Sequence, residues 1–350
     1  MSLKFTCPTC GIELVIQFLK PGEIARCRNC GADVVVPYDA EQVAWDSSIV
    51  IDRRKKELPE DIKAAIALTT EKTPYPNIPQ AIRLIVLLTI LSVLLAMLVG
   101  IIDEALDAKL IDSIIVIPLL TILSFGVVLT WGFKKTNLNF KEVFPLNPVK
   151  TVILIPLTIT ILGMMIILSE IDNLTNMLMP APQSFTNFFE RLFENPWRAL
   201  LAAIIIAPIT EEFLFRGLIL KGFVKLYSFK KAIIVSAILF GAMHLNPWQF
   251  AGAFFLGLLF AWLAIKTDSL LPCLCGHALA NSMPIILIHL TGLHISGFSG
   301  DRPIEPVVQP WWFDLLGLVL AGFGIWWLMK IFRKDSDLAR INPECLNYYK

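Results

Sequence analysis

From residue 82 onward the chain alternates between long apolar blocks and short polar stretches, whereas residues 1–80 are polar and mixed. A block of about 20 apolar residues, rising about 1.5 Å each, crosses the hydrocarbon core of a bilayer as a helix. Eight blocks are expected as spans: 82–102, 111–133, 151–168, 199–220, 232–245, 250–265, 270–290 and 313–331. The fifth and sixth are short and separated only by Asn246-Pro-Trp-Gln249. Pro247 disfavours helix at the residue before it, which predicts a tight hairpin there. The expected fold is therefore an all-α polytopic membrane protein with eight transmembrane helices, preceded by a small polar N-terminal domain. In domain terms the expectation is that small domain at 1–37, a charged and proline-rich linker at 38–80, a membrane domain at 81–334 and a tail at 335–350.

Composition narrows the class. Hydrophobic residues make up 56% and charged residues 17% of the 350, against about 45–50% and about 25% in ordinary soluble domains. The excess lies in spanning blocks, which excludes a soluble globular enzyme, a disordered chain and a disulfide framework. The formal net charge of +1 gives no reason to expect a nucleic-acid partner. The first ten residues, MSLKFTCPTC, lack the apolar core of a secretory leader.

Loop charges set an expected orientation. Lys134, Lys135, Lys141 and Lys150 follow the second span, and Lys221, Lys225, Lys230 and Lys231 follow the fourth. Lys266 follows the sixth, and Lys330, Arg333 and Lys334 follow the eighth. The other loops carry Asp103, Glu104, Asp107, Glu170, Asp172, Glu190 and Glu194 instead. The positive-inside rule then predicts an integral, multi-pass protein with both termini cytoplasmic.

Four of the seven cysteines form two C-x-x-C pairs, Cys7–Cys10 and Cys27–Cys30, sixteen residues apart. That spacing predicts a structural zinc held by four thiolates, which makes residues 1–37 a small β-rich zinc-ribbon domain. Gly11 and Gly31 follow the pairs, where a positive φ lets the chain leave a tight turn. The ribbon's basic residues Lys4, Lys20, Arg26 and Arg28 are nearly cancelled by Glu13, Glu23 and Asp33, so a docking or regulatory module, with a protein partner for the ribbon, is favoured over nucleic-acid binding. The linker holds the run Asp52-Arg-Arg-Lys-Lys-Glu57, one short helix expected near 60–70, and Pro74-Tyr-Pro-Asn-Ile-Pro79.

Ionisable groups at membrane depth mark function. The fourth span holds Glu211, Glu212 and Arg216, the fifth His244 and the seventh His277. Glu211 lies roughly 15 Å in from Lys221, His244 roughly 20 Å in from Lys231 and His277 roughly 12 Å in from Ser269. Three spans thus bring a carboxylate and two imidazoles to a similar layer. Glu212 and Arg216 stand four apart, the favoured order for a helical ion pair, which leaves Glu211 about 100° around the helix and free to face a cavity. Phe240 and His244 are four apart, as are His277 and Asn281, so each pair shares a helix face.

Such a set suits hydrolysis by activated water. Glu211 would take a proton from water and return it to a leaving amine, with His244 orienting the water. His277 and Asn281 would donate to the oxyanion. A zinc held by Glu211, His244 and His277 is the metal version, although no H-E-x-x-H helix is present.

Glu211-Glu212-x-x-x-Arg216, Phe240-x-x-x-His244 and His277-x-x-x-Asn281, in that order, resemble the three motifs of the CPBP (Abi) family, which includes the type II CAAX prenyl proteases. The resemblance covers roughly 145–290 and implies an eight-helix intramembrane endopeptidase acting on a peptide or membrane-protein substrate. It implies Glu211, His244, His277 and Asn281 as catalytic, with Glu212, Arg216 and Phe240 supporting. For this family both a glutamate-only and a metal mechanism are argued. A silent scaffold or immunity factor of the same fold, and a transporter, are the other classes that fit.

Several residues have plainer readings. Arg216 would snorkel to the interface, and Asn281 would tie helices together. Cys273 and Cys275 read as small packing residues, and His289 and His294 as interfacial. Met164, Met165, Met177 and the aromatic cluster at 185–193 read as lipid-facing or loop packing.

Overall fold

The computed structural model describes residues 2–17, 19–27, 29–43, 74–107, 110, 113–286, 294–299 and 307–341. Arg28, the 52–57 charge run, the helix expected near 60–70, His289 and Cys345 lie outside the described residues. The chain divides into two units, Met1–Glu71 and Lys72–Lys350.

In the first unit, short strands alternate buried and exposed residues around the cysteines, with Val15, Ile24 and Val35 among the exposed ones. β1 (Ser2–Thr6) pairs antiparallel with β2 (Glu13–Gln17) and with β5 (Glu41–Val43). β3 (Ile24–Arg26) pairs with β4 (Asp33–Val35) in a second sheet. Leu3, Phe5, Ala25, Val34 and Val36 form its small core together with Cys7 and Cys27. The sheet runs past the boundary expected at 37, because Ser2 pairs with Val43.

The second unit is helical throughout its described length, apart from short connections. α1 spans Ile78–Leu106, α2 Val116–Thr136 and α3 Leu154–Leu178. Asn77 starts α1 with a capping box: its side chain accepts from Gln80 N, and the Gln80 side chain accepts from Asn77 N. α4 (Gln183–Glu194) is an amphipathic helix in the stretch expected as loop packing. Its apolar residues 185, 188, 189, 192 and 193 follow helical spacing. α5 (196–226) carries the two glutamates, and α6 (Phe229–Ala242), α7 (Pro247–Thr267), α8 (Leu271–Ile286) and α9 (Trp311–Ile341) follow. Asn246 caps α7 with Pro247 in its first turn, so the predicted hairpin forms.

Among the described residues, a helix falls within each of the eight expected blocks, and five helices are long and apolar enough to cross a membrane by length and composition: Ile78–Leu106, Val116–Thr136, Thr151–Leu178, Pro247–Thr267 and Trp311–Lys334. α6 has 14 residues, α8 has 16 and α5 is interrupted. These three are the helices that carry the ionisable motifs.

α5 runs through the core. Leu214, Phe215, Leu218, Ile219 and Phe223 are all fully buried. Small residues let neighbours close on it and on each other. A Cβ at Gly217 would meet the Phe144 ring at 2.6 Å, and one at Gly324 would meet Pro156 O at 2.8 Å, where α9 packs on α3. Outside, α1 exposes Val86, Ile90, Val93, Leu94, Met97, Leu98 and Ile101. An apolar face of this extent is suited to lipid and not to water.

Candidate functional site

α5 is built from five pieces: Pro196–Ala199, Leu200–Ile206, Ala207–Glu212, Phe213–Ile219 and Leu220–Leu226, of which the second and fourth are π-helical. Pro208 has no N–H to give and crowds the carbonyl four residues back, a local cause for the first widening. Thr210 Oγ1 donates toward the Ile206 and Ala207 carbonyls at 2.8 and 3.1 Å. The two glutamates end the six-residue α-helical piece, directly before the second π stretch. Widened turns of this kind occur mostly at functional sites.

Glu212 turns inward. Its side chain and that of Arg216 are both fully buried, and Arg216 Nη1 donates to Glu212 Oε1 at 3.0 Å. Arg216 Nη2 donates to the Gly257 carbonyl at 3.3 Å. The guanidinium lies 4.2 Å from the Phe240 ring centre and 5.4 Å from that of Phe260. Arg216 thus does not snorkel. It is held by a carboxylate, a carbonyl and two π-faces. A Cβ at Gly257 would meet Ala237 Cα at 3.1 Å, so glycine keeps α7 close to α6 there.

His277, on α8, reaches both acids. Its Nδ1 is 2.8 Å from Glu212 Oε1, and its Nε2 is 3.8 Å from Glu211 Oε2. The imidazole stacks on Phe260 at 5.7 Å and meets Phe240 edge-on at 5.8 Å. Cys273, one turn earlier on α8, donates its thiol to the Phe260 carbonyl at 3.2 Å, a packing role as expected. Glu211 keeps 14% side-chain exposure, so of the two acids it is the one not sealed from its surroundings.

His244 lies just past the end of α6. Its Nδ1 is 3.0 Å from the Phe240 carbonyl, and its ring meets Phe240 edge-on at 5.5 Å. The expected packing of Phe240 on His244 is present, and Phe240 also touches His277, Phe215 and Arg216. Asn281 Nδ2 donates to the Ala203 carbonyl at 2.8 Å in the first π stretch. One of its amide hydrogens therefore ties α8 to α5. Both ring nitrogens of His277 face carboxylates, which differs from the oxyanion-donor role expected for it.

Phe260, Gly257 and Ala203 escape the sequence reading, because an apolar residue behind a motif looks like one facing lipid. The contact of α4 escapes it too: Phe185 packs on Trp248 at 5.0 Å, and Trp248 Nε1 donates to the Met179 carbonyl at 2.7 Å. The period of its phenylalanines was the available signal. His294 is exposed.

The first unit holds a separate centre. Cys7 Sγ lies 3.8 Å from Cys30 Sγ, Cys10 Sγ lies 3.7 Å from Cys27 Sγ, and all four sulfurs fall within 4.8 Å of one another. Tetrahedral zinc with bonds of about 2.3 Å needs sulfurs about 3.8 Å apart, so the cluster fits. The two turns are copies: Gly11 N donates to Cys7 O and Gly31 N to Cys27 O, each at 2.9 Å, with glycine φ of 71° and 73°. Cys10 is drawn down to about 6 by a hydrogen bond from the Asn29 side chain and another from the Ile12 backbone. Cys30 is pushed up to about 12: an Ala32 backbone hydrogen bond pulls it down, but burial and the facing cysteines outweigh it. Four sulfurs so close resist full ionisation unless a cation joins them, which is consistent with a structural zinc site. Among the described residues, this is the only group of three or more His, Cys, Asp or Glu whose ligand atoms come this close. Glu211, His244 and His277 are not such a group, so this arrangement gives no support to the catalytic zinc weighed from sequence.

Residues 193–283 match the family model described as type II CAAX prenyl endopeptidase Rce1-like. The stretch contains Glu211, Glu212, Arg216, Phe240, His244, His277 and Asn281 together. The resemblance read from the three motifs therefore holds over this region, and at the family level it supports a CAAX-protease-like intramembrane protease. With the five apolar helices it supports an integral membrane protein. No curated protein and no solved structure matches the chain.

Proposed function

We propose that the membrane unit is an endopeptidase that hydrolyses peptide bonds with water activated by Glu211, without a catalytic metal. The observation that supports this most is the division between the two acids: Glu212 is sealed against Arg216, while Glu211 keeps access and faces an imidazole. Glu211 accepts the proton of the attacking water as its oxygen bonds to the scissile carbonyl carbon. His244 Nε2, whose partner nitrogen is engaged by Phe240 O, accepts a hydrogen bond from the same water. The remaining amide hydrogen of Asn281 is offered to the oxyanion. When the C–N bond breaks, Glu211 returns the proton to the leaving amine, so one water is consumed and the carboxylate is regenerated.

In this reading all eight helical blocks cross the bilayer, with the lysine-rich loops and both termini cytoplasmic, and the ribbon serves as a zinc-stabilised docking module. The short motif helices need less length because protein surrounds them. The test is cleavage of quenched fluorescent peptides, with and without a prenylated C-terminal cysteine motif, by the purified full-length protein in liposomes. Cleavage by wild type and none by Glu211→Gln supports an enzyme. No cleavage of either class, with intact fold, favours the silent scaffold.

A further inference from the structure

His277 touches both glutamates, and the two contacts are unequal. Nδ1 is within hydrogen-bond distance of Glu212 Oε1 at 2.8 Å, while Nε2 stands 3.8 Å from Glu211 Oε2. Glu212 Oε1 also receives Arg216 Nη1 at 3.0 Å, with neither side chain exposed. A carboxylate oxygen that already receives a guanidinium N–H acts as an acceptor. An acceptor at 2.8 Å requires the hydrogen to sit on Nδ1. In the neutral ring Nε2 is then a bare lone pair, and it is this lone pair that faces Glu211.

His244 is assigned in the same way by a different partner. Its Nδ1 is 3.0 Å from the Phe240 carbonyl, which can only accept, so its Nε2 is bare as well. Neither imidazole, so held, has an Nε2 hydrogen to offer an oxyanion.

We infer that Glu212, anchored by Arg216, is a positioning residue that locks His277 in the tautomer whose bare Nε2 serves Glu211. The inference rests on the proposed role of Glu211 and adds a second use for its neighbour. When water's oxygen bonds to the carbonyl carbon and its proton moves to Glu211, the new carboxyl O–H has the lone pair of His277 Nε2 to donate to. The carboxyl is thereby oriented and kept neutral until the C–N bond breaks and the proton passes to the amine. His277 holds the proton's position without taking it, and no further reactant is needed.

The experiment is nitrogen-15 magnetic resonance of the histidine side chains in full-length protein in liposomes. There are four histidines in the chain, and His277 is assigned by its loss in His277→Gln. The expected spectrum is a neutral His277 with hydrogen on Nδ1 and a bare Nε2; hydrogen on Nε2 overturns the inference whatever the protein cleaves. A second arm replaces the buried pair together, Glu212→Leu with Arg216→Leu, since apolar replacement of a buried ion pair is often neutral for stability. The folded double variant should lose the single His277 tautomer and fall about 10²-fold in kcat on a fluorogenic farnesylated peptide, with KM unchanged. Wild-type kcat in that variant would mean that the pair is structural only, and would overturn the inference. If the double variant fails to fold, the wild-type spectrum decides alone. A wild type that cleaves no peptide defeats the proposed activity but leaves the tautomer result standing.

Discussion

Glu211 and Glu212 are adjacent in sequence but stand in different surroundings: Glu212 is fully buried on Arg216, whereas Glu211 keeps 14% of its side chain exposed beside His277. One step along a helix turns a residue by about 100°, enough to bury one acid in the core and leave its neighbour partly exposed. The π-helical turns on either side fix where that division falls.

The first prediction concerns the sealed acid. Glu212→Gln leaves the Arg216 guanidinium without its counter-charge at zero exposure, and removing one partner of such a pair costs about 3–5 kcal/mol. Thermal unfolding in detergent should show a clearly lower melting temperature and a lower yield. An unchanged melting temperature would mean that Arg216 is compensated by another group.

Asn281 has two functions to separate. Asn281→Ala removes both the tie to Ala203 O and the proposed oxyanion donor, and loss of one such donor lowers kcat by about 10²-fold or more. The prediction is a fall in kcat with KM little changed. A drop in melting temperature with normal turnover would leave Asn281 as an interhelical tie.

The cysteine centre predicts metal-dependent folding of the ribbon. A fragment of residues 1–43, which includes β5, should carry one zinc and lose its strand signal by circular dichroism on chelation. Metal analysis finding well below one zinc per chain would contradict the assignment. Peptide cleavage should survive Cys7→Ser, since no ribbon residue belongs to the proposed active site.

Contacts between residues near in sequence were legible beforehand. The Glu212–Arg216 pair and the Phe240–His244 contact follow from four-residue helical spacing, and the glycine turns after Cys10 and Cys30 follow from steric freedom at positive φ. Contacts between helices were not. His277 meets Glu212 across 65 positions and Asn281 meets Ala203 across 78, and no local pattern encodes such pairings. The Glu212 contact of His277 is hidden for that reason: spacing shows which face His277 shares with Asn281, but not what lies opposite. α4 is legible only in the helical spacing of Phe185, Phe188, Phe189, Leu192 and Phe193, which aromatic composition alone does not reveal. β5 escapes a sequence reading because Glu41-Gln-Val43 is only three residues long, two of them polar, with no strand-length alternation.

The central claim is that Glu211 moves the proton. The most direct measurement is the turnover of Glu211→Gln against wild type, in liposomes on the same cleaved peptide, with melting temperatures recorded for both. An amide cannot accept the proton from water, so the account predicts near-complete loss of kcat with the melting temperature unchanged. Retained turnover in Glu211→Gln would contradict it.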